Sequence, residues 1–322
     1  MRRVSSATYI TVFFCIGILA GVLNYLGTWT ASVAACGPGP QRSDTFLAVC
    51  TQPNFGDFEH AAYLWNLEPS AIRSLQTADV VFLGNSRMQF AFSTHTVDEY
   101  FSKNHISYYI FGFGYEESNE FVEQLIRKYH VRPKSYIINA DPFFLDKLSD
   151  PAIELENASY LVWATYMFKF MFVENQRLIC DVPWLCTKSK QAIYRVAANG
   201  AWIWQDYWFP GTLVGRPVTG ARLKSLTEDE LSHAKAIAGK FAARAGVSPE
   251  CIILTGVPSL INNSEAVAAE IANAANLQVV LPHVDGLSTL DMSHLSAESA
   301  ERWSSAFIEK MAPVLENCLS RH

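Results

Sequence analysis

The chain has 322 residues, of which 50% are hydrophobic and 17% are charged, so it has ample apolar side chains to bury a large core. Its formal net charge is −6 and its pI is near 5.8, and no cluster of basic residues follows Arg2 and Arg3, which excludes a nucleic-acid-binding surface. We therefore expect a single large α/β domain without a nucleic-acid partner.

The N-terminal segment Ala7–Trp29 is almost wholly apolar, and no charged residue occurs between Arg3 and Arg42. Because roughly 20 helical residues span the hydrocarbon core of a bilayer, this segment predicts a transmembrane helix. Positive charge before it and acidic balance after it place the N-terminus in the cytoplasm and the remainder outside, in the periplasm or at the cell surface. We expect residues 1–35 to form the cytoplasmic stub and the anchor.

Two other interpretations of this region stay open. Residues 31–35, which read ASVAA, resemble a signal peptidase site, and Val33–Cys36 loosely resembles a lipoprotein box. All three interpretations place the domain on the extracytoplasmic side. Residues 36–75 are expected to form a tether to that domain, with a helix near Phe58–Leu67.

Cysteine usage agrees with an oxidising compartment. Of the seven cysteines, Cys15 lies in the apolar segment, which leaves an even number outside it. The disulfides that we consider are Cys36 with Cys50, Cys180 with Cys186, and Cys251 with Cys318. Metal ligation is the alternative, but no C-x-x-C or H-x-x-x-H spacing occurs, so we predict neither a metal nor a cofactor.

From residue 79 onward, strand-length apolar runs alternate with helical patterns, as in βαβ units that build a parallel sheet. The predicted strands are Val80–Leu83, Ile106–Phe111, Ser135–Ala140, Cys251–Thr255 and Leu277–Leu281. The predicted helices are Met88–Phe101, Glu117–Tyr129, Glu228–Ala245, Ser264–Ala275 and Ala297–Leu315. We expect residues 76–322 to form a three-layer α/β/α domain with a parallel sheet of about five strands.

Between about residues 142 and 222 the alternation breaks, and an aromatic-dense segment intervenes. Its aromatic residues include Tyr160, Trp163, Tyr166, Phe168, Phe170, Phe172, Trp184, Trp202, Trp204, Tyr207, Trp208 and Phe209. We interpret the segment as a helical insertion whose aromatic side chains pack on the domain. The alternative is a lid that binds sugars or contacts the bilayer.

A serine stands where the first strand gives way to a helix. Gly84 permits a sharp turn, so Ser86 lies at the carboxyl end of a parallel strand, beside the N–H groups of a helix N-terminus. This position suits a nucleophile, although an ordinary N-cap is the other interpretation. We interpret the adjacent Arg87 as part of a surface ion pair, with contact to an anionic substrate as the alternative.

Asp291 and His294 lie three residues apart in a loop before the final helix. At this spacing the carboxylate can accept a hydrogen bond from one imidazole nitrogen while the other nitrogen faces outward. A serine hydroxyl is a weak nucleophile until such a base removes its proton. Each residue alone is better interpreted as a loop residue, but together with Ser86 they predict a Ser-His-Asp triad.

The motifs Gly84-Asn85-Ser86 and Asp291-Met-Ser-His294 occur in the order of the first and last blocks of the SGNH (GDSL-like) hydrolases, and the chain resembles that superfamily. Asn85 stands where the family most often has Asp. The resemblance covers about residues 79–141 and 251–315, and it implies the α/β/α fold and a serine nucleophile without a cofactor.

The resemblance also implies donors for the oxyanion. The family uses a backbone N–H from a glycine after the second strand and an asparagine side chain after the third. The corresponding residues here are Gly112 or Gly114, and Asn139, and we expect the Ser86 N–H to donate to the oxyanion as well. The family's inner G-x-N-D block is not reproduced, because Ala140 stands before Asp141 where asparagine is expected.

Anchored relatives with this layout are similar to proteins that add or remove acyl groups on cell-surface polysaccharides. The resemblance therefore implies an extracytoplasmic serine esterase or O-acyltransferase that acts on such a polysaccharide or on another acylated small molecule. Whether a membrane-bound partner supplies the acyl donor is left open. The alternatives from another class are a non-catalytic glycan-binding or assembly module with an SGNH-like shell, and an unrelated α/β binding protein.

Overall fold

The structure is a computed structural model, and it describes residues 11–22, 44–50, 55–180, 192–204, 216–218 and 226–320. The helices are α1 (11–22), α2 (Glu59–Leu64), α3 (Pro69–Thr77), α4 (Ser86–Phe92), α5 (His95–Lys103), α6 (Asn119–Tyr129), α7 (Asp150–Glu156), α8 (Tyr160–Cys180), α9 (Glu228–Arg244), α10 (Ser264–Ala275) and α11 (Ala297–Leu319). The strands are β1 (Thr45–Cys50), β2 (Gly56–Asp57), β3 (Val80–Asn85), β4 (Tyr108–Phe113), β5 (Ser135–Asn139), β6 (Ala192–Val196), β7 (Trp202–Ile203), β8 (Arg216–Pro217), β9 (Ile252–Thr255), β10 (Gln278–Val279) and β11 (Ser288–Thr289).

The centre of the fold is a parallel sheet of five strands in the order β10-β9-β5-β3-β4. The predicted parallel sheet is therefore confirmed. Leu83 of β3 pairs with Phe111 of β4 on one side and with Ile138 of β5 on the other. Since the strands run in the same direction, the carboxyl ends of β3, β5 and β9 lie along one edge of the sheet.

Both faces of this sheet are apolar and covered by helices, as expected when crossover helices connect parallel strands. Val81 and Leu83 contribute to a core that contains side chains of α3, α6, α9 and α10. Val80 and Phe82 point to the opposite core, which contains side chains of α4, α5 and α11. The α/β architecture with helices on both sides of the sheet follows from this alternation.

Two predicted elements around the first strand differ from the observed ones. Strand β3 does not end at Leu83, because Gly84 and Asn85 continue the pairing, opposite Gly112 and Phe113 of β4. The predicted helix Met88–Phe101 is in fact two helices, α4 and α5. The break is local: the Thr94 side chain accepts a hydrogen bond from the Val97 N–H and so caps a new helix N-terminus.

A second, antiparallel sheet has the order β2-β1-β6-β7. It joins residues 45–57, which fall within the predicted tether, to residues 192–203, which fall within the predicted insertion. The prediction that the insertion is helical is correct for α7 and α8 and wrong for β6, β7 and β8. The reason is tertiary: β6 finds its hydrogen-bonding partner in β1, more than a hundred residues earlier in the chain.

This second sheet lies beside the edge of the central one. The Ile110 N–H of β4 donates to the Asn199 carbonyl in the turn between β6 and β7. Edge strands offer unpaired N–H and C=O groups, and this contact covers one of them. Residues 59–77 also belong to the domain, since α2 and α3 place Tyr63, Ile72 and Leu75 in the core.

Within the described ranges, no helix has both the length and the apolar character needed to cross a bilayer. The predicted anchor Ala7–Trp29 overlaps these ranges only at α1, and the signal-peptidase-like and lipoprotein-like residues 31–36 lie outside them. Trp184, Tyr207, Trp208 and Phe209 of the aromatic segment also lie outside them.

Charged side chains are buried where α2 meets the second sheet. His60 Nδ1 lies 2.8 Å from Asp57 Oδ1, and its Nε2 lies 3.0 Å from Glu117 Oε2. Glu59 forms an ion pair of 2.7 Å with Arg195. All five residues are buried, so each charge depends on its partner for stabilisation.

We predict that His60 makes stability fall with rising pH. Burial alone would lower the pKa of His60, but the carboxylates of Asp57 and Glu117 outweigh it and raise the pKa to about 10. Because the folded pKa exceeds the unfolded value of 6.5, the stabilisation is complete below about pH 6.5 and is lost towards about pH 10. Urea unfolding of wild type and His60→Gln across this range should show the difference between them shrinking as pH rises. A constant difference would contradict the prediction.

The predicted disulfide between Cys251 and Cys318 is confirmed, with sulfur atoms 2.13 Å apart. It joins the start of β9 to the end of α11. The other two predicted pairs include Cys36 and Cys186, which lie outside the described residues.

Removing this disulfide should destabilise the domain. The bond closes a loop with a sequence separation of 67 residues, for which the chain-entropy relation gives about 4 kcal/mol. We expect Cys251→Ser/Cys318→Ser to lower the free energy of unfolding in urea by up to that amount. The control is Cys15→Ser, which replaces an exposed free cysteine and should leave the unfolding midpoint unchanged.

Candidate active site

Ser86 is the first residue of α4, directly after β3. The Asn85 side chain caps this helix by accepting a hydrogen bond of 3.0 Å from the Arg87 N–H. The sharp passage from strand to helix requires small residues beneath it. A Cβ on Gly112 would lie 2.9 Å from the Asn85 carbonyl oxygen, and one on Gly84 would lie 2.8 Å from Met88 Cβ. Ser86 therefore stands half-buried at the carboxyl edge of the sheet.

The loop before α11 brings the other two predicted residues to the same place. Asp291 Oδ1 accepts hydrogen bonds from the backbone N–H groups of Ser293 and His294, at 3.0 and 2.9 Å. Its second oxygen, Oδ2, lies 2.7 Å from His294 Nδ1. The other imidazole nitrogen, Nε2, lies 2.8 Å from Ser86 Oγ, across 208 positions of sequence. The structure thus brings Ser86, His294 and Asp291 into one hydrogen-bonded relay.

The surroundings of the relay favour an ionised Asp291. Partial burial would raise the pKa of Asp291, but the hydrogen bond and charge of His294 and the two backbone N–H groups outweigh it and lower the pKa to about 2. The carboxylate can then orient the imidazole and stabilise the imidazolium that forms when Ser86 loses its proton. The Phe90 ring packs on the imidazole with centroids 4.4 Å apart and restricts its movement.

The predicted glycine and asparagine donors of the oxyanion form other contacts in the structure. Asn139 is fully buried; its Nδ2 donates to the Asp141 carbonyl and its Oδ1 accepts from the Val257 N–H. The Gly114 N–H donates to the buried Glu59 carboxylate, and Gly112 pairs within the sheet opposite Gly84. The structure therefore does not bring the Asn139 amide or the Gly114 N–H to Ser86 as free donors.

Arg87 forms a network that the sequence interpretation missed. The predicted surface ion pair is wrong, because the Arg87 and Asp141 side chains are only 5% and 1% exposed, and their charged atoms lie 2.8 Å apart. The guanidinium also donates to Asn262 Oδ1 and, through Nε, to Ser293 Oγ, both at 3.0 Å. Asn262 Nδ2 closes the network by donating to the second Asp141 oxygen at 2.7 Å. We call these four residues the Arg87 network.

Comparisons with family models, curated proteins and solved structures found no match to this chain.

A signal for the Arg87 network was present in the sequence. Asp141 and Asn262 are polar residues that follow β5 and β9, whose carboxyl ends share an edge with that of β3. In parallel sheets, side chains at this edge converge on one crevice. What the sequence alone does not reveal is that Arg87 reaches both of them.

A cavity of about 250 Å³ opens next to the network, between the segment after β9 and the segment after β10. Ser259, Asn262, Glu265 and His283 contribute to its lining. Burial raises the pKa of Glu265, and the charges of His283 and Lys310 oppose that rise. Polar and charged side chains share its lining with apolar ones such as Val284 and Leu287.

One group among the described residues has metal-ligand character. Single ligand atoms of Asp57, Glu59 and His60 all lie within 4.8 Å of one another. Both nitrogens of His60 already contact carboxylates, and Glu59 contacts Arg195, Gly114 and Trp202. Since His60 and Arg195 already supply positive charge to these carboxylates, we interpret the group as a set of structural ion pairs.

We predict that the carboxyl group of Asp291 titrates at about pH 2, in accord with its lowered pKa. Its contribution to stability is then present above its ordinary pKa of 3.8 and is lost as pH falls towards about 2. Carbon-13 NMR of the Asp291 carboxyl group can measure this titration. His294→Ala, which removes the hydrogen bond and the charge of the imidazole, should move the midpoint upward, and a wild-type midpoint near 3.8 would contradict the prediction.

Proposed function

We propose that the chain is a membrane-anchored, extracytoplasmic serine esterase or O-acyltransferase of the SGNH-like class, acting on acyl esters of cell-surface glycans. The observation that supports the chemistry is the relay from Asp291 through His294 to Ser86, with hydrogen bonds of 2.7 and 2.8 Å. The fold agrees with this class, because a nucleophile at the carboxyl end of a parallel strand is accessible to a ligand at the sheet edge. The substrate class rests on the family resemblance alone.

The proposed reaction proceeds in two steps. Ser86 Oγ attacks the ester carbonyl carbon while His294 Nε2 takes the hydroxyl proton, and the carbonyl oxygen becomes an oxyanion. When the intermediate collapses, the ester C–O bond breaks and His294 returns the proton to the leaving alcohol, which leaves an acyl group on Ser86. Water or a sugar hydroxyl then repeats the sequence in reverse, with His294 as base.

The proposed compartment follows from two features. The Cys251–Cys318 disulfide is typical of proteins that fold in an oxidising environment. The uncharged stretch between Arg3 and Arg42, which includes α1, supports a membrane anchor that leaves the domain outside. We propose the same orientation as the sequence predicts, with the N-terminus in the cytoplasm.

One observation favours a second candidate function, a non-catalytic module that binds glycan or an assembly partner. The amide of Asn139 and the N–H of Gly114, both expected to stabilise an oxyanion, are engaged in structural hydrogen bonds. Loss of one oxyanion donor typically lowers kcat by about 10² to 10³. A module of this kind would keep the relay geometry without measurable turnover.

Covalent trapping separates the two candidates. We expect a fluorophosphonate probe to label the full chain in detergent micelles at Ser86, since its tetrahedral phosphonyl adduct requires the base and the oxyanion donors together. A non-catalytic module that lacks those donors should not be labelled. Ser86→Ala should abolish labelling, and Ser102→Ala, at an exposed serine of α5, should leave it unchanged. The enzymatic proposal is lost if wild type is not labelled or if Ser86→Ala is labelled equally.

The choice between hydrolysis and transfer depends on what resolves the acyl-enzyme. Release of acetate from a chromogenic acetate ester should be measured with and without an oligosaccharide acceptor. Acceptor-dependent formation of acylated oligosaccharide over slow release of acetate supports transfer, whereas fast release that the acceptor does not change supports hydrolysis.

A further inference from the structure

Ester cleavage by Ser86 creates a negative oxygen that needs hydrogen-bond donors, and two of the expected donors are committed elsewhere. The Asn139 amide joins β5 to the residues after β9, and Glu59 accepts the hydrogen bond of the Gly114 N–H. A site that develops this charge without donors would lose most of its rate advantage. The charged side chain next to Ser86 in the sequence is that of Arg87.

Arg87 is adjacent to Ser86 and to the loop that carries His294. Its backbone follows Ser86 directly, and its Nε donates at 3.0 Å to Ser293, the residue before His294. Its Nη1 binds Asp141, which follows β5, the strand after which the family places its third donor. An ionised Asp141 only accepts hydrogen bonds, so the donor at this place is the guanidinium that it holds.

Two of the three guanidinium nitrogens of Arg87 donate hydrogen bonds to named partners. Nε binds Ser293, and Nη1 binds Asp141 and Asn262. Among the described residues, Nη2 has no hydrogen-bond partner, and it does not belong to the fully buried polar atoms that lack one. Nη2 is thus a charged donor that solvent, or a ligand in its place, can reach.

We propose that Arg87 is a catalytic residue whose Nη2 donates a hydrogen bond to the oxyanion, in the role that the family gives to an asparagine. This inference rests on the proposed function. Asp141, Asn262 and Ser293 are its positioning residues, because they accept hydrogen bonds from Nη1 and Nε of the guanidinium. Hydrogen bonds from an ionised donor are shorter and about twice as strong as neutral ones, which suits a single strong donor.

The role adds no bond-making step to the reaction. As Ser86 attacks, the electron pair of the carbonyl double bond moves to the oxygen, and the positive charge of Arg87 stabilises it there. When the electron pair returns and the leaving alcohol departs, Arg87 is unchanged. The contribution is therefore larger in the transition state than in the ground state, so it raises kcat with little effect on KM.

The test compares variants of the full chain with a chromogenic ester as substrate and an alkylboronic acid as the tetrahedral inhibitor. Arg87→Lys keeps a positive charge for Asp141 but has one nitrogen in place of three. We expect kcat to fall by about 10² to 10³ with KM almost unchanged, and the boronic acid to lose affinity by a similar factor. Arg127→Gln, at an exposed arginine of α6, should match wild type.

A second variant keeps the test valid if Arg87→Lys does not fold. Arg87→Gln/Asp141→Asn removes both charges together and leaves no unpaired buried ion. It should show the same loss of kcat and of boronic acid affinity. The loss of inhibitor affinity is the readout that a merely structural role would not produce.

Two outcomes would overturn the inference. One is a kcat within about threefold of wild type in a folded variant. The other is a loss of kcat without a parallel loss of boronic acid affinity. Either result leaves the proposed function standing when Ser86→Ala is inactive, whereas an inactive and unlabelled wild type refutes the proposed function itself.

Discussion

Strand β3 is paired on both sides, with β4 and with β5, and this pairing determines where the candidate site lies. Because both neighbours are parallel to it, the ends of three strands share one edge, and the residues that follow them converge there. Ser86 lies at this edge as the first residue of α4. Gly84 and Gly112 have no Cβ, which allows the helix to begin close to the sheet. A bulkier residue at either position would displace the serine from His294.

Buried charge imposes a second constraint, which appears in two places. Beside the second sheet, His60 and Arg195 neutralise carboxylates of Asp57, Glu59 and Glu117. At the edge that carries the candidate site, Arg87 and Asp141 do the same for each other. Each of the carboxylates is buried, so its charge needs a partner that it meets when the chain folds. The two networks therefore tie residues remote in sequence to defined positions around the central sheet.

The second sheet affects the site as well as the fold. Its helix α2 supplies Glu59, which takes the N–H of Gly114, and its strand β6 supplies Arg195, which contacts the Gly112 carbonyl. The residues at the end of β4 therefore form hydrogen bonds with other parts of the protein. On the other side, Asn139 links β5 to Val257, and the Arg87 guanidinium donates to Ser293, the residue before His294. The distribution of donors around Ser86 thus depends on contacts from the tether and the insertion as well as from the central sheet.

Several features were determined by the sequence alone because their causes are local. Short apolar runs separated by helical patterns predicted the parallel strands, and Ser264–Ala275 and the start of α9 at Glu228, capped by Thr227, agree with the observed helices. Asp291 and His294 are three residues apart, so the loop itself brings their side chains together. The position of Ser86 after a strand followed from the same local pattern.

Only the tertiary structure decided which remote groups meet. Arg87 was expected at the surface, but its partner Asp141 is 54 positions away and is recognisable only once β3 and β5 are neighbours. Likewise, the sequence of β6 resembles the rest of the aromatic insertion, and its strand is recognisable only from its pairing with β1. Backbone preferences and periodicity act over a few residues, whereas the desolvation of a charge and the pairing of a strand depend on what the whole chain places beside them.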